Sequence, residues 1–318
     1  MMTVDAESVA KALPYDQLIS ALRRAFASGA EVPLRVHHTV SVPGGTDGTL
    51  LLMPAWQSGK SIGIKIATVF PDNAKIDSPA VFASYLLLSA ESGVPVAVLD
   101  GTELTVRRTA AASALASSYL SRENSSQLLM IGTGNLAPHL VMAHAAARPI
   151  TKVVTWGRRK AAAETLAERI AATGLAATAT DDLEAAIAAA DIISCATLAS
   201  DPLVKGEWLQ AGQHLDLVGA FRPDMREADD DALRRADVYV DTRTGGLSEA
   251  GEIVQGIENG AIDESDICGE LSELAAGSVN GRQDASTITL FKSVGTALED
   301  LAAAELAMQT ISASGASA

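Results

Sequence analysis

The chain has 318 residues, with 24 Lys and Arg against 39 Asp and Glu, a formal net charge of −15. That length allows two domains and a sizeable buried core, and that charge repels phosphate backbones, which argues against a nucleic-acid partner. A hydrophobic fraction of 48% and a charged fraction of 20% exclude global disorder.

The acid excess is local: residues 224–300 hold 18 acidic and 6 basic side chains. The ordinary reading of such a stretch is a solvated surface. Two cysteines, Cys195 and Cys268, cannot build a disulfide framework. Both are expected to be buried thiols in a reducing compartment, the cytoplasm. The N-terminus carries Asp5 and Glu7 and lacks the basic-then-apolar pattern of a secretory leader. Residues 124–147 contain no charged Asp, Glu, Lys or Arg and are long enough to span a bilayer. The run is broken by Gly132, Gly134, Pro138, His139 and His144, so a buried strand, a tight loop and a helix start explain it better, and no membrane partner is expected.

Residues 5–29 read as a helix interrupted near its start by Leu13-Pro14, with Leu18, Leu22 and Phe26 on one stripe. Residues 32–42 alternate as a half-buried strand: Val32, Leu34, Val36, Val40 and Val42 point one way, and Arg35, His37, Thr39 and Ser41 the other. His38 falls on the apolar side and is expected in the core. A Pro43-Gly44-Gly45 turn precedes a strand at 49–53. Residues 61–70 alternate again, Ile62, Ile64 and Ile66 opposing Gly63, Lys65 and Ala67, and two further strands near 80–89 and 94–99 flank a Ser92-Gly93 turn. A long helix begins near Asp100, with Glu103 three residues on, and runs to about Leu120.

From Gln127 the texture changes. Strands at 128–131, 152–156, 191–195, 214–218 and 238–240 alternate with helices at 161–173 and 183–190. Such alternation implies a parallel sheet wound by right-handed crossovers. The last 25 or so residues return to helix, with Leu298, Leu301, Ala304 and Met308 on one stripe. The fold class is α/β: a Rossmann-type parallel sheet with its helices over 121–291, and an α+β unit over 1–120 and 292–318.

The chemistry begins at the loop Gly132-Thr133-Gly134-Asn135-Leu136-Ala137, which directly follows one buried strand and directly precedes a helix. In that context G-x-G-x-x-A reads as a dinucleotide loop. The first glycine permits the turn, the second lets backbone approach the pyrophosphate, and the small third residue allows close helix packing. A purely structural glycine turn is the plain alternative. At the end of the next strand, where NAD-selective enzymes place an acid, stand Gly157, Arg158 and Arg159. A guanidinium pairs with a 2′-phosphate that a carboxylate would repel, so NADPH is expected over NADH. The alternative is a basic helix start on the surface.

Three cations break the pattern around them: Arg35, Lys65, and Arg108 on the stripe Leu104, Ala111, Ala112, Leu115. A buried cation needs an anion. Glu103 or Asp100 could pair with Arg107 or Arg108, and Arg35 and Lys65 could be solvated edge charges. The functional reading is a clamp for a substrate carboxylate. His37 shares the face of Arg35 and is a candidate proton donor, as are Lys65 and water. Asp224 and Arg226 could pair with each other or with the cofactor. No set of residues with metal-ligand spacing is found.

These segments, with Leu52-Met53-Pro54-Ala55, Arg108-Thr109-Ala110-Ala111, Gly206-Glu207-Trp208 and the run Thr289 to Gly295, resemble the ornithine cyclodeaminase/mu-crystallin family across almost the whole chain. The resemblance implies an N-terminal dimerising unit completed by the C-terminal helix, and hence a homodimer. It assigns the substrate carboxylate to Arg35, Lys65 and Arg108. It also places Thr197, Val218, Lys292 and Ser293 by the nicotinamide. Ornithine cyclodeaminases carry a catalytic aspartate in a Gly-Gly-Asp-x-Pro-Gly-Lys stretch. Here the segment is Gly219-Ala220-Phe221-Arg222-Pro223-Asp224, so Phe221 stands where that aspartate would be. The Arg-Pro-Asp version resembles the ketimine-reductase branch, which implies NADPH-dependent reduction of Δ1-pyrroline-2-carboxylate and Δ1-piperideine-2-carboxylate. An NAD-dependent cyclodeaminase, an alanine dehydrogenase-like enzyme and a non-catalytic ligand-binding protein are the competing readings.

Overall fold

The computed structural model describes residues 1–76 and 78–315. It divides into two compact units, Met1–Thr109 with the segment from Thr296, and Ala110–Gly295.

The first unit opens with β1 (Met2–Val4), α1 (Ala6–Ala12) and α2 (Tyr15–Ser28). Asp5 caps α1 by accepting the Ser8 N–H at 2.8 Å. Leu13-Pro14 splits the expected single helix, because proline cannot donate to the preceding turn. Then follow β2 (Val36–Val40), β3 (Gly48–Gln57), β4 (Ser61–Val69), β5 (Val81–Ser89) and β6 (Pro95–Asp100). The sheet order is β1-β6-β5-β4-β3-β2, an antiparallel meander with β1 added parallel to β6. Helix α3 (Gly101–Leu120) leaves the sheet with Asp100 accepting the Glu103 N–H at 2.8 Å, the cap its spacing predicts.

The strand alternation sorts this sheet into two faces. Gly63, Lys65 and Ala67 of β4 are buried with Tyr85, Leu87 and Met53, on the side covered by the C-terminal helix. Gly63 is obligatory there, since a Cβ would stand 1.8 Å from the Tyr85 hydroxyl. The isoleucines of β4 lie on the outer face, where Ile66 keeps 38% exposure and Phe82 of β5 48%. Strand β2 departs from expectation: it is shorter than the alternation suggests, and every residue in it is exposed. It is the edge strand, paired only with β3. His38 is therefore exposed and not a core residue.

The second unit holds β7 (Gln127–Ile131), α4 (Ala137–Ala147), β8 (Lys152–Trp156), α5 (Lys160–Ala171), β9 (Ala176–Ala179), α6 (Leu183–Ala189), β10 (Ile192–Cys195) and β11 (His214–Leu217). It continues with α7 (Asp230–Arg235), β12 (Ala236–Val240), α8 (Arg243–Glu249), α9 (Gly251–Glu258), β13 (Ile267–Glu270), α10 (Leu271–Ala276) and β14 (Ile288–Lys292). The chain then returns to the first unit through α11 (Ala297–Ala313). The eight strands are parallel, in the order β13-β12-β14-β11-β10-β7-β8-β9. The order reverses at β7, which makes this a doubly wound Rossmann sheet with its switch point between β7 and β10. Fully buried Leu129, Ile131, Ile193, Cys195, Leu215 and Leu217 fill its centre.

The break between the units falls inside α3, after Thr109, because Arg148 donates to the carbonyls of Ser117, Ser118 and Ser121 and Arg282 to that of Leu120. These bonds satisfy the last carbonyls of α3 within the second unit. Strands β9, β13 and β14 are too short, or too embedded in polar sequence, to stand out by periodicity. Cys268, expected to be buried, is exposed on edge strand β13; Cys195 is buried. The charge-free stretch 124–147 forms β7, the glycine loop and the 11-residue α4. Among the described residues no helix is long and apolar enough to cross a membrane.

Candidate active site

In the second unit the glycine loop sits between β7 and α4, at the switch point. Gly132 has φ +110°, and a Cβ there would meet the Ala196 carbonyl oxygen at 2.4 Å. Gly134 is different: nothing lies within 4 Å of an added Cβ. The loop therefore leaves open space at the N-terminus of α4, whose cap residue Leu136 contributes no side-chain acceptor. A pyrophosphate fits this donor set. Ala137 is fully buried against the sheet. Thr133 packs on Gly157, where a Cβ would stand 2.7 Å from its Cγ2. Asn135, Arg158 and Arg159 are exposed, and no side-chain hydrogen bond or ion pair engages either guanidinium among the described residues.

The ends of β10, β11 and β14 carry Thr197, Val218, Lys292 and Ser293. Two buried acids that sequence reading missed organise them. Glu227 Oε1 accepts from the Thr197 N–H at 2.6 Å and hydroxyl at 2.9 Å, and its Oε2 from the Gly219 N–H at 2.7 Å. Glu252 accepts the Glu227 N–H at 2.6 Å, and its other oxygen lies 3.0 Å from Lys292 Nζ. Glu227, Glu252 and Lys292 are all fully buried. Lys292, expected beside the nicotinamide, thus points at a protein carboxylate. Burial pushes the Glu227 carboxyl up to about 7; Lys292 opposes this and Glu252 adds to it. The only sequence hint was an acid set among small and apolar residues, as in Gly251-Glu252-Ile253. Ser293 and Val218 are buried beside these strand ends.

The proposed partnership of Asp224 with Arg226 is not found. Asp224 pairs with Arg222 at 2.8 Å, and Arg226 with Asp230, four residues on at the start of α7. Phe221 is 47% exposed. His144 is buried, its Nε2 3.2 Å from Asp216, so it belongs to the packing of α4 and not to a ligand set.

In the first unit, Lys65 and Arg108 face inward, 4% and 5% exposed. Each is paired with protein. Arg108 Nε donates to Asp300 Oδ1 at 2.9 Å and Nη1 to Glu299 Oε2 at 2.6 Å, while Lys65 Nζ lies 2.8 Å from Asp300 Oδ2. The local acids take other roles: Glu103 pairs with Arg107 at 2.6 Å. Glu299 and Asp300 lie in the first turn of α11, after the Thr296 cap. Nothing near Arg108 in sequence announces them. Arg108 Nη2 makes no hydrogen bond among the described residues, and Lys65 has N–H groups beyond its one ion pair.

Burial lowers the Lys65 ammonium to about 8; Arg108 lowers it further, Asp300 counters, and Arg35 is close enough to add to the lowering. Burial opposes the charge on Arg108, but Asp300 and Glu299 outweigh it and hold the guanidinium above its ordinary value. Tyr85 stands opposite Lys65 across β4 and β5. Burial, with Asp300 beside it, raises its phenol, which has no hydrogen-bond partner among the described residues. Arg35 is half-buried just before β2, and His37 is exposed within it. Among the described residues no cluster of ligating side chains could hold a metal ion.

The model of the ornithine cyclodeaminase/mu-crystallin family matches residues 1–315. A Δ1-pyrroline-2-carboxylate reductase of Colwellia psychrerythraea is 40% identical over 315 residues, 98% of this chain and 99% of the relative. A solved Thermococcus litoralis Δ1-pyrroline-2-carboxylate reductase, in complex with NADH and L-proline, superposes with a TM-score of 0.92. It is 33% identical and covers 99% of this chain and 98% of that one. A dimeric archaeal alanine dehydrogenase with bound NAD gives a TM-score of 0.91 at 30% identity, over 100% and 98% of the two chains.

Proposed function

The chain belongs to the ornithine cyclodeaminase/mu-crystallin family, and from that premise we propose that it is an NADPH-dependent oxidoreductase that reduces cyclic imine carboxylates. Its substrates are Δ1-pyrroline-2-carboxylate, giving L-proline, and Δ1-piperideine-2-carboxylate, giving L-pipecolate. The observation that carries this reading is the buried Lys65–Arg108 pair, each side chain anchored by Asp300 and each retaining N–H donors. The relatives that reduce pyrroline-2-carboxylate support it.

Arg108 Nη2 and Lys65 bind the carboxylate, with Arg35 adding charge at the rim. Asp300 and Glu299 hold both cations in place, so little side-chain entropy is lost on binding. The nicotinamide, when bound, supplies the hydride that the imine carbon accepts. Lys65, lowered to about 8, is the group able to give a proton to the imine nitrogen near neutral pH. The exposed His37 is the lesser candidate. Gly132–Ala137 and the N-terminus of α4 take the pyrophosphate. Arg158 and Arg159, exposed at the end of β8, take the 2′-phosphate. Thr197, Val218 and Ser293 line the nicotinamide side. Phe221 cannot accept a proton, which weighs against ornithine deamination.

The apolar outer face of the first sheet, with Val36, Ile66 and Phe82 each more than a third exposed, supports a homodimer. The free thiols suit a cytoplasmic enzyme.

The test is NADPH oxidation, followed by near-ultraviolet absorbance, with freshly generated Δ1-pyrroline-2-carboxylate and Δ1-piperideine-2-carboxylate, and NADH alongside. Oxidation that collapses in Arg108→Ala is expected. No turnover of either imine, with ammonia released from ornithine, would overturn the reading.

A further inference from the structure

Glu227, Glu252 and Lys292 form a closed ionic group behind the ends of β10 and β11. Glu227 comes from the loop after β11, Glu252 from α9 and Lys292 from β14, and all three are fully buried. One Glu227 carboxylate pins two loop ends at once, through the Thr197 N–H and hydroxyl and the Gly219 N–H. The fit is tight: a Cβ on Gly219 would stand 2.0 Å from the Thr197 carbonyl oxygen and 2.5 Å from Glu227 Oε1. Glu252 takes the Glu227 N–H and faces Lys292. From β10 the Cys195 thiol faces Glu227, and burial, with Glu227 itself, keeps it protonated. Two carboxylates thus face one ammonium, and with both ionised the group carries one uncompensated negative charge away from water.

In a doubly wound sheet a dinucleotide lies across the strand ends, one half to each side of the switch point. Here the phosphate loop follows β7 and the Gly157–Arg159 turn follows β8, so the nicotinamide half falls on the side of β10 and β11, the two strand ends that Glu227 ties together. We propose that Glu227, held by Glu252 and Lys292, is a positioning residue whose buried charge makes this site favour the oxidised, pyridinium form of the cofactor over the reduced one. The inference rests on the dinucleotide reading above. A negative charge behind the ring attracts a pyridinium and has no such hold on the neutral dihydropyridine.

With its carboxyl raised to about 7, Glu227 is charged above that pH and neutral below it. The oxidised form should therefore gain on the reduced form as pH rises through 7. The experiment is titration calorimetry of the full-length protein with NADP+ and with NADPH between pH 6 and 8.5. The 2′-phosphate titrates in both ligands, so its effect cancels in the ratio of dissociation constants. In the wild type, affinity for NADP+ relative to NADPH should rise roughly fivefold across that range, the scale of one screened charge. Glu227→Gln should flatten the ratio. Glu252→Gln removes a like charge, so it should keep the rise but move its midpoint below 7. The wild-type titration stands even where a variant folds poorly. A pH-independent ratio in the wild type, with both nucleotides bound, overturns this inference alone. Binding of neither nucleotide overturns the dinucleotide reading and this inference with it.

Discussion

Asp300 of α11 holds Arg108 Nε at 2.9 Å with one carboxylate oxygen and stands 2.8 Å from Lys65 Nζ with the other. One acid thus positions two cations and counters the burial that lowers one of them. Asp300→Asn removes the interaction that keeps Lys65 from falling further. In the proposed mechanism the active form is the ammonium, which the wild type loses as pH rises through about 8. In the variant the alkaline limb of kcat/KM should move to lower pH. A pH profile with substrate in excess and limiting checks it; an unmoved limb would separate Lys65 from proton transfer.

Arg108→Ala should cost both function and fold. Glu299 and Asp300 would be left buried with one guanidinium fewer, a defect of about 3–5 kcal/mol. Urea denaturation measures that term. Arg108→Lys restores charge without the planar fork, so it should recover much of the stability while kcat/KM stays at least about tenfold down.

The two loop glycines should part company. Gly132→Ala strains a left-handed backbone and strikes the Ala196 carbonyl, lowering stability by more than about 1 kcal/mol. Gly134→Ala meets nothing in the protein, so its melting temperature without ligand should match the wild type. Its NADPH-induced rise in melting temperature should shrink, because the added methyl enters the space assigned to the pyrophosphate.

Among the described residues Arg158 and Arg159 pair with no acid, so the double change to Ala should leave stability within ~0.5 kcal/mol. Affinity for NADPH should fall about 10- to 100-fold, with NADH little altered, as each charge-assisted contact is worth about 1.5–3 kcal/mol. Parallel losses for both cofactors in binding titrations would remove the 2′-phosphate assignment.

Ile66→Asp places a charge on the exposed apolar face of the first sheet. Sedimentation velocity should show a dimer for the wild type and a monomer for the variant. A dimer that persists would put the contact elsewhere.

Much of this protein is legible in one dimension. The Asp100 cap, the Leu13-Pro14 break, the β4 alternation and the glycine loop each depend on neighbours a few residues away. The strand–loop–helix context of Gly132–Ala137 fixes where a dinucleotide can sit, and the cations at 65 and 108 mark positions where charge opposes burial. Periodicity says which residues share a face but not which face is covered. The isoleucines of β4 look like core and lie on the outer side, whereas Lys65 lies beneath a helix. Strand β2 alternates yet has neither face buried, because only packing partners decide burial.

The sequence by itself determined the α/β class, the dinucleotide loop and the identity of the cations, since those follow from local backbone demands and residue chemistry. Only the tertiary structure decided what the cations face. Asp300 and Glu299 reach Lys65 and Arg108, and Glu252 reaches Lys292, across long stretches of chain that no spacing rule connects. Burial removes the water that would otherwise solvate each charge. The fold must therefore supply a counter-charge, and the residue that supplies it is set by packing in three dimensions.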